Sequence, residues 1–91
     1  MALFFIAATP TSASAIKPSI EQAYQDRLFN VAAGQWIVSD NGKTAEQVAK
    51  ALGIGEDPAK TALVLGISTY WGRHSRDLWP WMKEQLERRD G

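Results

Sequence analysis

The sequence predicts an α+β domain built on an antiparallel sheet. Its elements run strand, helix, strand, strand, helix, strand, with one more helix at the C-terminal end. Three observations predict it. Two apolar runs rich in strand formers, at 2–8 and 61–68, bracket the first part of the chain. Between them lie two helical patterns, one opened by the capping box Thr44-Ala45-Glu46-Gln47. Between the two helices, residues 27–39 lose the helical period and alternate as strands do.

The first strand is Leu3-Phe4-Phe5-Ile6 with its flanks, apolar on both pleat faces and ended by the turn residues Thr9-Pro10-Thr11-Ser12. The opening MALFFIAATPTSASA also has features of a secretory leader, an apolar run followed by the small residues Ala13-Ser14-Ala15. No Lys or Arg precedes the run, the first being Lys17, and Pro10 follows it at once. The residues favour a buried strand, and with it a cytoplasmic protein.

A helix follows. Pro18 suits a first helical turn, Ser19 and Gln22 suit a capping box, and Ile16, Ile20, Ala23 and Tyr24 share a side. Residues 27–39 then read as a β-hairpin, with Ala33-Gly34 as its turn and Asp40-Asn41-Gly42 closing it. The second helix runs from the Thr44 cap through Val48, Ala51 and Leu52. Gly53 fits the left-handed residue just past its end, and Ile54 the apolar contact that follows. Gly55-Glu56-Asp57-Pro58 is a loop, and 61–68 is a second strand apolar on both faces.

This order is the split βαβ, or ferredoxin-like, pattern. It places both helices on one sheet face and leaves the other open. Because the strands at 2–8 and 61–68 are apolar on both sides, the open face needs a cover. A partner subunit or the remaining tail would supply it. The whole chain of 91 residues reads as one domain, with a ferredoxin-like core at 1–68 and a Trp-rich helical extension at 69–91.

The tail, TYWGRHSRDLWPWMKEQLERRDG, holds three of the four tryptophans and half of the lysines and arginines. Asp77 suits an N-cap, with Pro80 in the first turn. Leu78, Met82 and Leu86 share a face, with Trp79 beside it, and Glu84 precedes Arg88 by one favourable helical step. Packing of Trp79 and Met82 on the sheet is the plain expectation. Tyr70, Trp71, Arg73, His74 and Arg76 interleave rings with cations, a combination that suits protein interfaces and nucleic acid alike. With Trp79 and Trp81 they form the candidate binding surface.

Composition narrows the chemistry. Formal net charge is zero, against a strongly basic nucleic-acid protein. There is no cysteine, so disulfides, thiolate metal sites and a cysteine nucleophile are excluded. No apolar run reaches the ~20 residues that span a membrane. His74 is the only histidine, and with Asp77 it supplies two ligand types and no metal site. Nor does its spacing from Ser75 make a triad. Gly53-Ile54-Gly55 follows a helix rather than a strand, so it reads as a helix stop and not a phosphate cradle. No catalytic residue, cofactor or metal is expected.

LFFIAA, a helix, a hairpin ending in GQWIVSD, then TAEQVAKALG and an apolar strand together resemble the small ferredoxin-like proteins related to the CRISPR spacer-acquisition family. Trp36-Ile37-Val38 and Ala45-Glu46 carry the resemblance, which spans roughly residues 2–68. It implies a homodimer built on the sheet and, in some members, metal-dependent nuclease activity tied to an aspartate at the end of the first strand. Here that place holds Ala8-Thr9-Pro10. The expectation is therefore a non-enzymatic binding or assembly module, partnered by itself as a homodimer or by another protein. A nucleic-acid binder or degenerate nuclease of the same fold is the alternative.

Overall fold

The computed structural model describes residues 2–69 and 78–87. In chain order their elements are β1 (Leu3–Ala8), α1 (Ala13–Ala23), β2 (Leu28–Ala32), β3 (Gln35–Ser39), α2 (Ala45–Ala51), β4 (Ala62–Ile67) and α3 (Leu78–Glu87). The strands form one antiparallel sheet in the order β2-β3-β1-β4. Among the described residues the chain is thus an α+β domain with a four-stranded sheet and three helices. None of these helices is long and apolar enough to cross a membrane.

β1 lies inside the sheet, which is why it is apolar on both faces. It pairs with β3 from Leu3↔Ser39 to Ala7↔Gln35, and with β4 from Leu3↔Ile67 to Ala8↔Ala62. Phe4 and Ile6 face α1 and α2. They pack there with Ile16, Ile20, Tyr24, Trp36, Val38, Val48, Leu52 and Ile54.

α1 starts earlier than its Pro18 suggests. It begins at Ala13, so Pro18 lies inside the helix and the Ser19–Gln22 capping box does not form. The burial of Ile16 and Ile20 needs those earlier residues in the helix. Pro18 is tolerated because it lies on the exposed side. It has no N–H to donate to the carbonyl of Ser14, a residue that is itself exposed. Ser12, at the N-cap position, makes no side-chain cap bond; its Oγ instead accepts from the Thr61 amide at 2.9 Å. Ser19 Oγ accepts from Lys60 Nζ at 3.0 Å. Both serines therefore tie α1 to the approach to β4.

The hairpin forms as expected. Gly34 turns it with φ +77°, a left-handed conformation that a side chain resists. A Cβ there would also stand 3.4 Å from the Ala8 carbonyl and the Ala13 side chain. The β2–β3 register shifts between Asn30 and Ala32. The Asn30 amide donates to the Ala32 and Gln35 carbonyls, each at 3.0 Å.

α2 has the predicted ends. Thr44 accepts from the Gln47 amide at 3.2 Å, and the Gln47 side chain accepts from the Thr44 amide at 2.9 Å. At the other end, Gly53 (φ +79°) donates to Lys50 O and Ile54 donates to Ala49 O. This pair of bonds satisfies carbonyls that a helix end would leave open, and it buries Ile54.

The opposite sheet face is covered in part by the chain's own tail, over β2, β3 and β1. Leu78 and Met82 of α3 are buried against Leu3 and Ile37, with Phe5, Phe29, Val31, Ile67 and Trp81 packed around them. Asp77 and Arg88, the proposed cap and ion-pair partner, lie outside the described residues, as does the Leu86 side chain.

Candidate functional site

Of the seven residues singled out in the tail, Trp81 is the one whose side chain the structure describes. It is half-buried, and its ring stands 5.5 Å from that of Phe29, tilted by 47°. Part of its surface therefore serves the fold. Tyr70, Trp71, Arg73, His74 and Arg76, and the Trp79 side chain, lie outside the described residues.

Reading along the sequence missed a different surface. Leu63 and Leu65 are 65% and 51% exposed, the large apolar residues most open to water among those described. They stand on the same sheet face as α3 but outside its cluster, which stops at Ile67 and Phe5. They also belong to β4, an edge strand. The sequence shows a strand apolar on both faces at 61–68. The exposure of Leu63 and Leu65 is not visible there, because it depends on which strand ends the sheet and on how far α3 reaches.

The two sheet edges differ. β2 carries the register shift, the Asn30 amide closing on two carbonyls, and Asp26 and Arg27 beside it. Such features blunt an edge against pairing. Among the described residues β4 has no register shift, and the charge nearest its start, Lys60, is turned to Ser19 Oγ and Leu52 O. No residue from 61 to 69 is charged, none is proline, and its register with β1 is unbroken.

Which backbone groups of β4 face outward follows from the ladder. Thr9 donates to Thr61 O at 3.1 Å, so Thr61 turns its backbone toward β1. With a period of two, Leu63, Leu65 and Ile67 do the same, and Ala62, Val64 and Gly66 point their N–H and C=O groups away from the sheet. The other side of β1 agrees. Ala8 donates to Gly34 O at 2.8 Å and Asp40 donates to Ala2 O at 3.0 Å, so the even residues of β1 bond toward β3.

Two polar clusters have structural explanations. The Tyr24 hydroxyl donates to Asp40 Oδ2 at 2.7 Å, and Lys43 Nζ lies 3.2 Å from the same oxygen. Burial, and then the bond to Asp40, push the Tyr24 phenol well above its ordinary value, while Arg27 over its ring acts in the other direction. A phenol held protonated beside a paired carboxylate is a tie between α1 and the end of β3, not a base. Lys60 donates to Ser19 Oγ and to Leu52 O at the end of α2, a place where a cation is favoured.

A cleft of about 380 Å³ lies between the start of α1 and the hairpin, lined by Ser14, Lys17, Asn30 and Trp36 among others. Lys17 is the one charged group among the lining residues, and the Asn30 amide is already engaged. Among the described residues no group of three His, Asp or Glu side chains could hold a metal ion. Compared with family models, curated proteins and solved structures, the chain finds no match.

Proposed function

We propose that this chain is a small non-enzymatic binding or assembly module of ferredoxin-like fold, and that β4 is its docking element. The fold reading is supported by the strand order taken from the other edge, β4-β1-β3-β2. There β3 lies between β1 and β2, and β1 between β3 and β4, so each helix connects strands that another strand separates. The spacer-acquisition likeness belongs to this reading. The place of its first-strand aspartate is taken by Ala8-Thr9-Pro10 at the end of β1, so no nuclease chemistry is carried over.

One observation carries the docking role. Among the described residues β4 presents an uncharged, regular and unpaired edge with two exposed leucines on its α3 side. Water-facing backbone groups beside apolar side chains make a template for strand addition. Main-chain bonds supply affinity there, and alternate side chains supply selectivity.

The test is a labelled peptide of alternating valine and threonine, with a lysine at each end, followed by fluorescence anisotropy. The chain binds it, and L63K/L65K weakens binding at least about tenfold, as expected where the apolar side of each cross-strand pair is replaced by a charge. A peptide bound equally by both proteins, or by neither, overturns β4 as the docking element.

A further inference from the structure

We propose that the occupant of the β4 edge is β4 of a second copy of this chain, paired antiparallel about a two-fold axis at Val64. The inference rests on β4 being the docking element and names its partner. The result is one continuous sheet running through both copies.

The geometry points to a second copy for three reasons. First, the outward backbone groups belong to Ala62, Val64 and Gly66, a set symmetric about Val64. In an antiparallel pair centred there, Val64 bonds to Val64 of the second copy and Ala62 to Gly66 of the second copy. Every outward group within Ala62–Ile67 then has a partner. Directly opposite residues share a face, so the centre must fall on a residue and not between two. Centring on Leu65 instead would set Ala62 opposite Ser68, beyond the end of the strand.

Second, the same register sets Leu63 opposite Leu65 of the second copy, and Leu65 opposite Leu63. These are the non-hydrogen-bonded positions of the new ladder, where side chains come closest. The two most exposed large apolar residues among those described thus cover each other twice through one symmetry operation. The α3 cluster ends beside them at Phe5 and Ile67, so the apolar face continues across the axis.

Third, the charges allow it. With no charge between 61 and 69, an identical strand meets no like charge at any position. An interface of little more than one strand pair is small, so the association is concentration-dependent rather than obligate.

The experiment measures solution mass by light scattering from micromolar to about millimolar chain, for the wild type, L63K/L65K and L63K/L65E. Circular dichroism of each confirms that it is folded. The register sets the substituted position 63 opposite position 65. L63K/L65K therefore places like charges opposite each other, and L63K/L65E places opposite charges together.

The wild type rises from the 10.0 kDa of one chain to twice that mass. L63K/L65K associates at least about tenfold more weakly, and L63K/L65E recovers the dimer in a salt-sensitive way. A wild type that stays at one-chain mass overturns self-pairing. If it still binds the valine–threonine peptide through Leu63 and Leu65, β4 remains a docking element for another strand. A dimer unaffected by L63K/L65K lies on another surface and overturns the proposal. Loss of the dimer in the folded L63K/L65E protein overturns the Val64-centred register.

Discussion

The Tyr24 hydroxyl donates to the Asp40 carboxylate at 2.7 Å, joining the end of α1 to the end of β3 inside the protein. Both residues are almost fully buried, and Lys43 balances the carboxylate from the surface side. Tyr24→Phe keeps the ring and its packing but leaves Asp40 without this donor. The expected cost is about 1–3 kcal/mol, read as a lower urea midpoint with an unchanged slope.

The same bond gives a pH dependence with a definite sign. The native phenol is held above its ordinary value, first by burial and then by Asp40, so on raising pH the unfolded chain releases this proton first. The unfolded state then binds fewer protons than the native state, and stability falls as pH rises. The advantage of the wild type over Tyr24→Phe is therefore full below about pH 10, the ordinary phenol value, and shrinks above it. Urea titrations of both proteins across that range check this. A gap that widened with pH would contradict it.

Gly34 turns the hairpin where a side chain meets both strain and neighbours. Its φ of +77° disfavours a Cβ by about 1–2 kcal/mol, and the Ala8 carbonyl and Ala13 side chain stand 3.4 Å from where that carbon would be. Gly34→Ala is expected to lower the thermal midpoint by several degrees, because about 1 kcal/mol moves a domain of this size by ~4–8 °C. An unchanged midpoint would show that the turn relaxes without cost.

Local chemistry was legible in the residues themselves. The Thr44–Gln47 box, the Gly53-Ile54 helix stop and the alternation across 27–39 each act within a few residues, and each forms as read. Pro18 misled because its usual place is a first turn, whereas the packing of Ile16 and Ile20 draws the helix start back to Ala13. Ser12 and Ser19 look like helix caps in the chain, yet their hydroxyls accept from Thr61 and Lys60, distant in sequence. Leu63 and Leu65 were the least legible. Their pattern is that of any buried strand, and only the strand order and the reach of α3 set them in water.

The tail helix makes the last prediction. Met82 is 2% exposed and packs with Leu78 on Leu3 and Ile37, the face that β1 and β3 would otherwise present to water. Met82→Ala removes most of that contact and is expected to cost about 2–5 kcal/mol, a large share of the stability of a small domain. Trp81 is only half-buried, so Trp81→Ala should cost less although the residue is larger. A chain ending at Ser68 loses the cover altogether. It should bind a hydrophobic dye strongly and aggregate, since Leu3, Phe5, Phe29 and Ile37 would lie open together. Urea unfolding of the two point variants and dye fluorescence of the truncation check this order. If Trp81→Ala were the more damaging variant, or the truncated chain stayed soluble and dye-silent, α3 would not be the element that closes this face.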